Sequence, residues 1–345
     1  MNYTYVDFEE NRTYEDAVNI FNQRIEDAKW IYDKYKDKFT VRSCPCCGDN
    51  QNKLQQSYFH NMYGVVKCGV CGAYYVDPCP PQEALNDYYA NAKCNRMLEN
   101  IYNKRAKKKS SVLVDDKVEL LIDQICKHPK DSITFLELGC NNGGFLSRLR
   151  KRIEEVGVKK TVRLIGVDIS EEAVLNKCDD NIELICDTAE NYVLNYDGFF
   201  DFVYHSELLE HIIDPVSLIS ILSSKMKQGG VMAFTTPNEY SFEMRGLDYN
   251  AMRVLACNIF PPMHLNSYGT HNITHFLITH GFGVDSILTP GKLDVGILEM
   301  QYNDTECILV KDLKGFDENT KGYIQELLKF VGASSNMLVV ARKLK

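Results

Sequence analysis

Four cysteines carry the first readable chemistry. Cys44-Pro-Cys-Cys47-Gly48 and Cys68-Gly-Val-Cys71-Gly72 are two C-x-x-C knuckles. Two thiolates at that spacing can share one tetrahedral ion, and a glycine after the second cysteine permits the tight turn. Cys44, Cys47, Cys68 and Cys71 therefore predict a zinc site. It would be structural, because four thiolates leave no coordination position open. Cys46 is the extra thiol, and Cys47-Gly48 matches Cys71-Gly72 better than Cys46 does. A second set of groups lies in Glu137-Leu-Gly-Cys-Asn-Asn-Gly143, an acid followed by a turn containing Gly139 and Gly143. Glycines in such a turn let bare backbone approach a ligand. Asp168 and Asp187 each close an apolar run, and an acid at a strand tip can accept hydrogen bonds from ribose hydroxyls. A third set is histidine. Six of the eight histidines follow residue 204, among them His205, His211 and His264. An imidazole accepts protons near neutral pH, which makes His264, then His211, candidate general bases.

These groups need a frame. Apolar runs predict strands over Ile133–Leu138, Val162–Asp168, Ile182–Asp187, Phe199–Tyr204, Gly230–Asn238 and Asn336–Arg342. Helical stretches separate most of them. The alternation predicts an α/β fold, a mainly parallel sheet with helices on both faces. Right-handed crossovers then bring the strand tips to one edge.

With those parts in order, the chain resembles the class I S-adenosylmethionine-dependent methyltransferases over residues 131–290 and the last strand. The resemblance implies a Rossmann-like seven-stranded methyltransferase sheet. It also implies that Glu137, Gly139, Asn141, Gly143, Asp168, Asp187 and His205 surround S-adenosylmethionine. Gly139 would approach its amino-acid part, Asp168 its ribose and Asp187 its adenine amine, with His205 flanking. Asn141 stands where the family has its central glycine, and Asn tolerates a left-handed backbone better than most residues. A dinucleotide-binding dehydrogenase is the competing reading; it wants G-x-G-x-x-G, and the second of those glycines is missing here. The knuckles, Asp77-Pro78 and Tyr88-Tyr89 add a resemblance to zinc-containing methyltransferases of deoxysugar and surface-polysaccharide pathways. That implies a small-molecule acceptor, a sugar or nucleotide-linked sugar, covered by an N-terminal zinc-ribbon-like module. Met263-His-Leu-Asn-Ser-Tyr-Gly269 keeps the histidine of those enzymes, with Met263 in place of their glutamate and Tyr268 shifted by one.

The organisation follows. Residues 1–40 form an N-terminal helical segment whose Val18, Phe21, Ile25, Ala28, Ile31 and Tyr35 share one face. Residues 41–80 form the zinc module, 81–130 a helical linker, and 131–345 the methyltransferase domain with a lid insertion at 239–272. The chain is 45% hydrophobic, enough for a sizeable core, and its net charge of −8 disfavours nucleic acid as a partner. The basic run Lys104–Lys109 reads as a solvated helix face, or as a grip on a diphosphate. No signal peptide or membrane-length apolar run is present, which predicts a cytoplasmic chain with reduced thiols and no membrane contact. Two other readings stay open: a non-catalytic zinc-containing scaffold that binds S-adenosylmethionine, and a methyltransferase for protein, RNA or a quinone-like small molecule. The sequence does not fix the oligomeric state.

Overall fold

The computed structural model describes residues 13–98, 111–246, 258–300 and 306–344. The Lys104–Lys109 run and the middle of the insertion, 247–257, lie outside the described residues. A first sheet is built from β1 (Lys53–Phe59), β2 (Tyr63–Cys68) and β3 (Tyr74–Val76), preceded by helix α1 (Tyr14–Tyr35) and followed by α2 (Gln82–Asn91). Next come α3 (Ser111–Lys127), β4 (Ser132–Leu138), α4 (Gly144–Glu155), β5 (Thr161–Asp168), α5 (Glu171–Leu175) and β6 (Glu183–Cys186). The remainder of the sheet domain begins with α6 (Ala189–Asn195), β7 (Phe200–Ser206), α7 (Pro215–Lys225) and β8 (Met226–Pro237). The chain continues through α8 (Phe242–Gly246), β9 (Asn266–Ser267), α9 (Thr270–Thr279) and β10 (Phe282–Leu288). Helices α10 (Asp294–Met300), α11 (Ile308–Asp312) and α12 (Glu318–Phe330) precede the last strand, β11 (Asn336–Lys343). Those three helices fill the connection between β10 and β11, which the sequence reading leaves without elements.

The large sheet has seven strands in the order β10-β11-β8-β7-β4-β5-β6. Strands β4 to β8 run parallel, and β11 is antiparallel to both β8 and β10. The expected α/β sheet is therefore present. Its strands read as nearly continuous apolar runs because both faces are covered. On one face Val118, Leu121, Ile122 and Ile125 of α3 pack with Phe145, Leu146 and Leu149 of α4. Helix α3 thus shares a core with the sheet. The other face receives Val193 of α6, Leu218 and Leu222 of α7, and Phe276 of α9. Strand order reverses between β4 and β7, which leaves a crevice outside their carboxyl ends, where ligands bind in open α/β sheets.

The zinc-module strands do not stand alone. The small sheet has the order β1-β2-β3-β9, and β9 comes from the 239–272 insertion. Tyr74 pairs with Ser267 and Tyr75 with Asn266. The N-terminal helix joins the same body. Phe21 meets Phe260 of the insertion edge-on at 5.9 Å. The Tyr63 hydroxyl donates to the Ala28 carbonyl at 3.0 Å. The apolar stripe expected on α1 holds at Phe21, Ala28, Ile31 and Tyr35, which are buried, while Val18 and Ile25 are half-buried. Ala28, Tyr63, Val65, Val76, Leu85, Ile259 and Leu265 form one core, so α1, the small sheet, α2 and the insertion pack as a unit. No described helix is long and apolar enough to cross a membrane.

Candidate functional site

The turn after β4 carries three left-handed residues, Gly139 at φ +71°, Asn141 at +50° and Gly143 at +80°. Asn141 thus takes the conformation expected of it. A side chain at Gly139 would meet only Leu208 Cδ1, at 3.8 Å, so the outer side of the turn is an open cradle. Gly143 differs: a Cβ there would collide with Ile182. Asp168 Oδ2 accepts from the Asn141 N–H at 2.7 Å, and its Oδ1 accepts from the Ser170 N–H at 2.9 Å. Each carboxylate oxygen keeps a second lone pair, so the group can still receive ribose hydroxyls. Asp187 accepts from the Thr188 N–H at 2.8 Å and from the Asn191 amide at 2.9 and 2.7 Å, bonds that an adenine amine would have to share. Glu137 lies beneath the turn, almost wholly buried, with Oε2 unpartnered. Burial pushes its carboxyl well above the ordinary range.

Sequence reasoning missed Gly166. A Cβ there would come within 2.6 Å of Leu184 Cδ2 and 2.7 Å of Cys140 Sγ, so the turn closes onto β5 only because this residue has no side chain. An isolated glycine inside a strand is the signal that could have found it. His205, expected to flank the cofactor, is fully buried at the end of β7 and stacks on Phe234 at 4.7 Å. Neither of its ring nitrogens meets a hydrogen-bond partner.

The two candidate bases come together. His211, in the turn after β7, and His264, in the insertion, have ring centroids 4.7 Å apart. His211 Nδ1 lies 2.9 Å from the Met263 carbonyl oxygen and 2.9 Å from the Tyr89 hydroxyl. A carbonyl can only accept, so Nδ1 carries the proton and Nε2 the lone pair. His264 Nδ1 lies 3.2 Å from the Asn258 carbonyl, which assigns it the same tautomer. Beneath them Glu210 is fully buried, with Oε2 accepting from Thr236 Oγ1 at 3.0 Å. Its Oε1 is unpartnered and lies 3.8 Å from His211 Nε2. Burial holds the Glu210 carboxyl well above its ordinary value and lowers His211 to about 4. Leu208, against the Gly139 turn, precedes Glu210 by two residues, which joins the turn to this cluster. His271 and His275 are exposed on α9 and do not join any cluster of metal-ligating groups among the described residues.

The four knuckle thiols also converge. Cys44 and Cys71 sulfurs are 3.6 Å apart, those of Cys47 and Cys68 are 3.5 Å apart, and all four lie within 4.8 Å of one another. Sulfurs bound tetrahedrally at the usual Zn–S length would be separated by about 3.8 Å. Gly48 at φ +75° and Gly72 at +81° make the turns, donating to the Cys44 and Cys68 carbonyls. The donor set and its spacing fit one zinc ion.

Comparison with known proteins agrees with this architecture. The family described as "Methyltransferase domain" matches residues 102–287. The chain belongs to that family, and its sheet domain has the class I S-adenosylmethionine-dependent methyltransferase fold. The ubiquinone biosynthesis O-methyltransferase of Proteus mirabilis is 32% identical over 144 residues, 41% of this chain and 54% of that protein. The protein of the same name from Hydrogenovibrio crunogenus is 30% identical over 169 residues, 47% of this chain and 58% of that protein. The chain thus spans little more than half the length of these relatives, and no sugar appears in their names. A solved S-adenosylmethionine-dependent methyltransferase from Archaeoglobus fulgidus is 20% identical, with a TM-score of 0.45 over 71% of this chain and 99% of that one.

The buried histidine gives a pH test. Burial pushes His205 from 6.5 down to about 3, so on acidification the unfolded chain takes the proton first. Its contribution to stability is whole above pH 6.5 and is lost progressively as the pH falls towards 3. Between pH 7 and pH 5 it should remove about 2 kcal/mol. Urea unfolding of His205→Phe should show a pH 7 to pH 5 loss smaller than wild type by that amount. An unchanged loss would place the His205 ring in contact with water.

Proposed function

We propose that this chain transfers a methyl group from S-adenosylmethionine to a sugar or nucleotide-linked sugar, with the His264–His211 pair as proton acceptor. The observation that carries the reading is the convergence of these imidazoles, with Tyr89 and the insertion around them and Leu208 of the same turn against Gly139. S-adenosylmethionine would supply a methyl group made electrophilic by its sulfonium. Gly139, Asn141 and Asp168 would hold it along the open turn. Glu137 would support that turn from below, and Asp187 would stand at the adenine end. Tyr89 and the Met263 carbonyl orient His211, keeping the Nε2 lone pair towards the cluster. As an acceptor hydroxyl forms its new C–O bond and the S–CH3 bond breaks, the hydroxyl proton passes to an imidazole Nε2 and the sulfur is left neutral. The relatives' names favour a second acceptor, a quinol-like phenol. Turnover of nucleotide sugars and of quinol-like phenols with labelled cofactor separates the two.

His264→Ala is expected to lower turnover by ~10²–10⁴ and leave cofactor affinity unchanged. Asp168→Ala is expected to weaken cofactor binding by about 1.5–3 kcal/mol. Calorimetry and initial rates check both. Less than a tenfold loss in both His264→Ala and His211→Ala would remove histidine as the base. Cofactor binding by the wild-type chain without methyl transfer to any acceptor tried would leave the scaffold reading in its place.

The cysteine quartet serves this function indirectly, as a structural zinc site. Elemental analysis is expected to give one zinc per chain. Cys71→Ser should lose the metal and lower the melting temperature, because metal binding and folding are coupled in such modules. A folded wild-type chain with far less than one zinc would refute the assignment.

A further inference from the structure

We propose that Glu210, His211 and His264 form a second metal site, for a divalent transition-metal ion at the acceptor side of the cleft. The inference rests on reading this cleft as the acceptor site. Donor atoms of the three residues lie within 4.8 Å of one another. The His211 Nε2 to Glu210 Oε1 separation is 3.8 Å. Nitrogen and oxygen donors bound at the usual lengths stand roughly 3–4 Å apart, so small side-chain movements close the set on an ion.

Three features distinguish this cluster from ordinary packing. First, Glu210 Oε1 has no hydrogen-bond partner among the described residues, although the residue is fully buried. A buried carboxyl oxygen left unpaired is costly, and a cation there would both satisfy it and hold the group ionised against its burial. Second, the Nδ1 atoms of both His211 and His264 face backbone carbonyls, Met263 at 2.9 Å and Asn258 at 3.2 Å. Metal-bound histidines typically donate their other ring N–H in this way, which fixes the tautomer and raises ligand basicity. Third, burial falls off across the cluster. Glu210 forms a buried floor, while His211 and His264 are half-buried. Three protein ligands with open positions are the pattern of a reactive site rather than a closed structural one.

The chemistry of the donor set selects the ion. Two imidazoles and one carboxylate suit Mn²⁺, Fe²⁺, Co²⁺ or Zn²⁺ rather than Mg²⁺ or Ca²⁺, which prefer oxygen. An acceptor hydroxyl bound at an open position would lose its proton to solvent more readily, as metal-bound water does. The ion would then replace the imidazole as the means of deprotonation, with the histidines acting as its ligands.

The test is titration of the purified chain carrying one zinc per chain with Mn²⁺ alone, followed by electron paramagnetic resonance. The expected result is one bound Mn²⁺ per chain, lost in both Glu210→Gln and His264→Ala. Circular dichroism checks that each variant is folded. His264→Ala, on a half-buried residue, keeps the test available if Glu210→Gln fails to fold. Only the free aqueous Mn²⁺ signal at millimolar metal, or full binding in a folded His264→Ala, would overturn the site. Methyl transfer that continues without bound Mn²⁺ or any metal beyond the cysteine-held zinc would also overturn it, while leaving the proposed function standing. Bound Mn²⁺ in a chain that neither binds S-adenosylmethionine nor transfers methyl groups would support the site and remove the proposed function.

Discussion

The arrangement depends on one guanidinium. Arg42 follows α1 and donates to the Val76 carbonyl at 3.0 Å, the Ile213 carbonyl at 2.9 Å, the Leu265 carbonyl at 2.9 Å and Asn266 Oδ1 at 2.8 Å. Those acceptors belong to three separate stretches: the end of β3, the turn after β7 and the insertion. Buried carbonyls need donors, and an arginine side chain offers five N–H groups in a fixed fork. Asn266 completes the joint by donating to the Leu209 and Ile212 carbonyls at 3.2 and 2.7 Å. The Leu265 and Asn266 N–H groups both reach the Glu210 carbonyl. Losing the guanidinium would remove all four bonds at once and leave the Leu265 carbonyl only the Val76 N–H. The turn that carries Glu210 and His211 has its shape because this joint holds it.

The polar groups around that turn are tuned towards neutrality. Burial raises Glu210 and lowers His211 and His205, so each loses its preference for the charged form. The hydroxyls of Tyr75 on β3, Ser267 on β9 and Tyr268 beside it are also buried without a hydrogen-bond partner among the described residues. Such a concentration of unsatisfied groups works against stability. Binding sites accept that cost, because polar groups already paired within the protein have less to offer a ligand.

What could be read from the sequence was local. The knuckles and the Glu137–Gly143 turn are short motifs whose spacing carries its own geometry. The parallel strands show as apolar runs because both sheet faces are buried. The meeting of His211 with His264 was not legible, since 53 residues separate them and the contact is made by tertiary packing. Strand β9 is two residues long, too short for any periodicity, yet it fuses the small sheet to the insertion. Arg42 carried no motif at all. Residues 1–40 and 41–80 read as separate units because composition changes between them, whereas Phe21 meets His60 and Tyr32 meets Tyr63 across that division.

The cysteine cluster and the histidine pair are linked in space through only a few residues. Cys44 and Cys68 are buried in the same core as Ala73, Tyr75 and Tyr268. The Cys68 N–H donates to the Ala73 carbonyl at 2.9 Å, so the second knuckle sets the start of β3. Strand β3 in turn fixes β9 through Tyr75 and Asn266, and the Val76 N–H donates to the Leu265 carbonyl at 2.9 Å. His264 directly precedes Leu265. An ion holding the four thiolates would therefore set the position of His264 without approaching the reacting atoms. Loss of the knuckle would disturb His264 and, through the Met263 and Glu210 carbonyls, the His211 turn bonded to the same segment, and a displacement of about 1 Å is enough to cost two orders of magnitude in an aligned reaction. The cysteine knuckles and the candidate chemistry are thus joined through backbone hydrogen bonds.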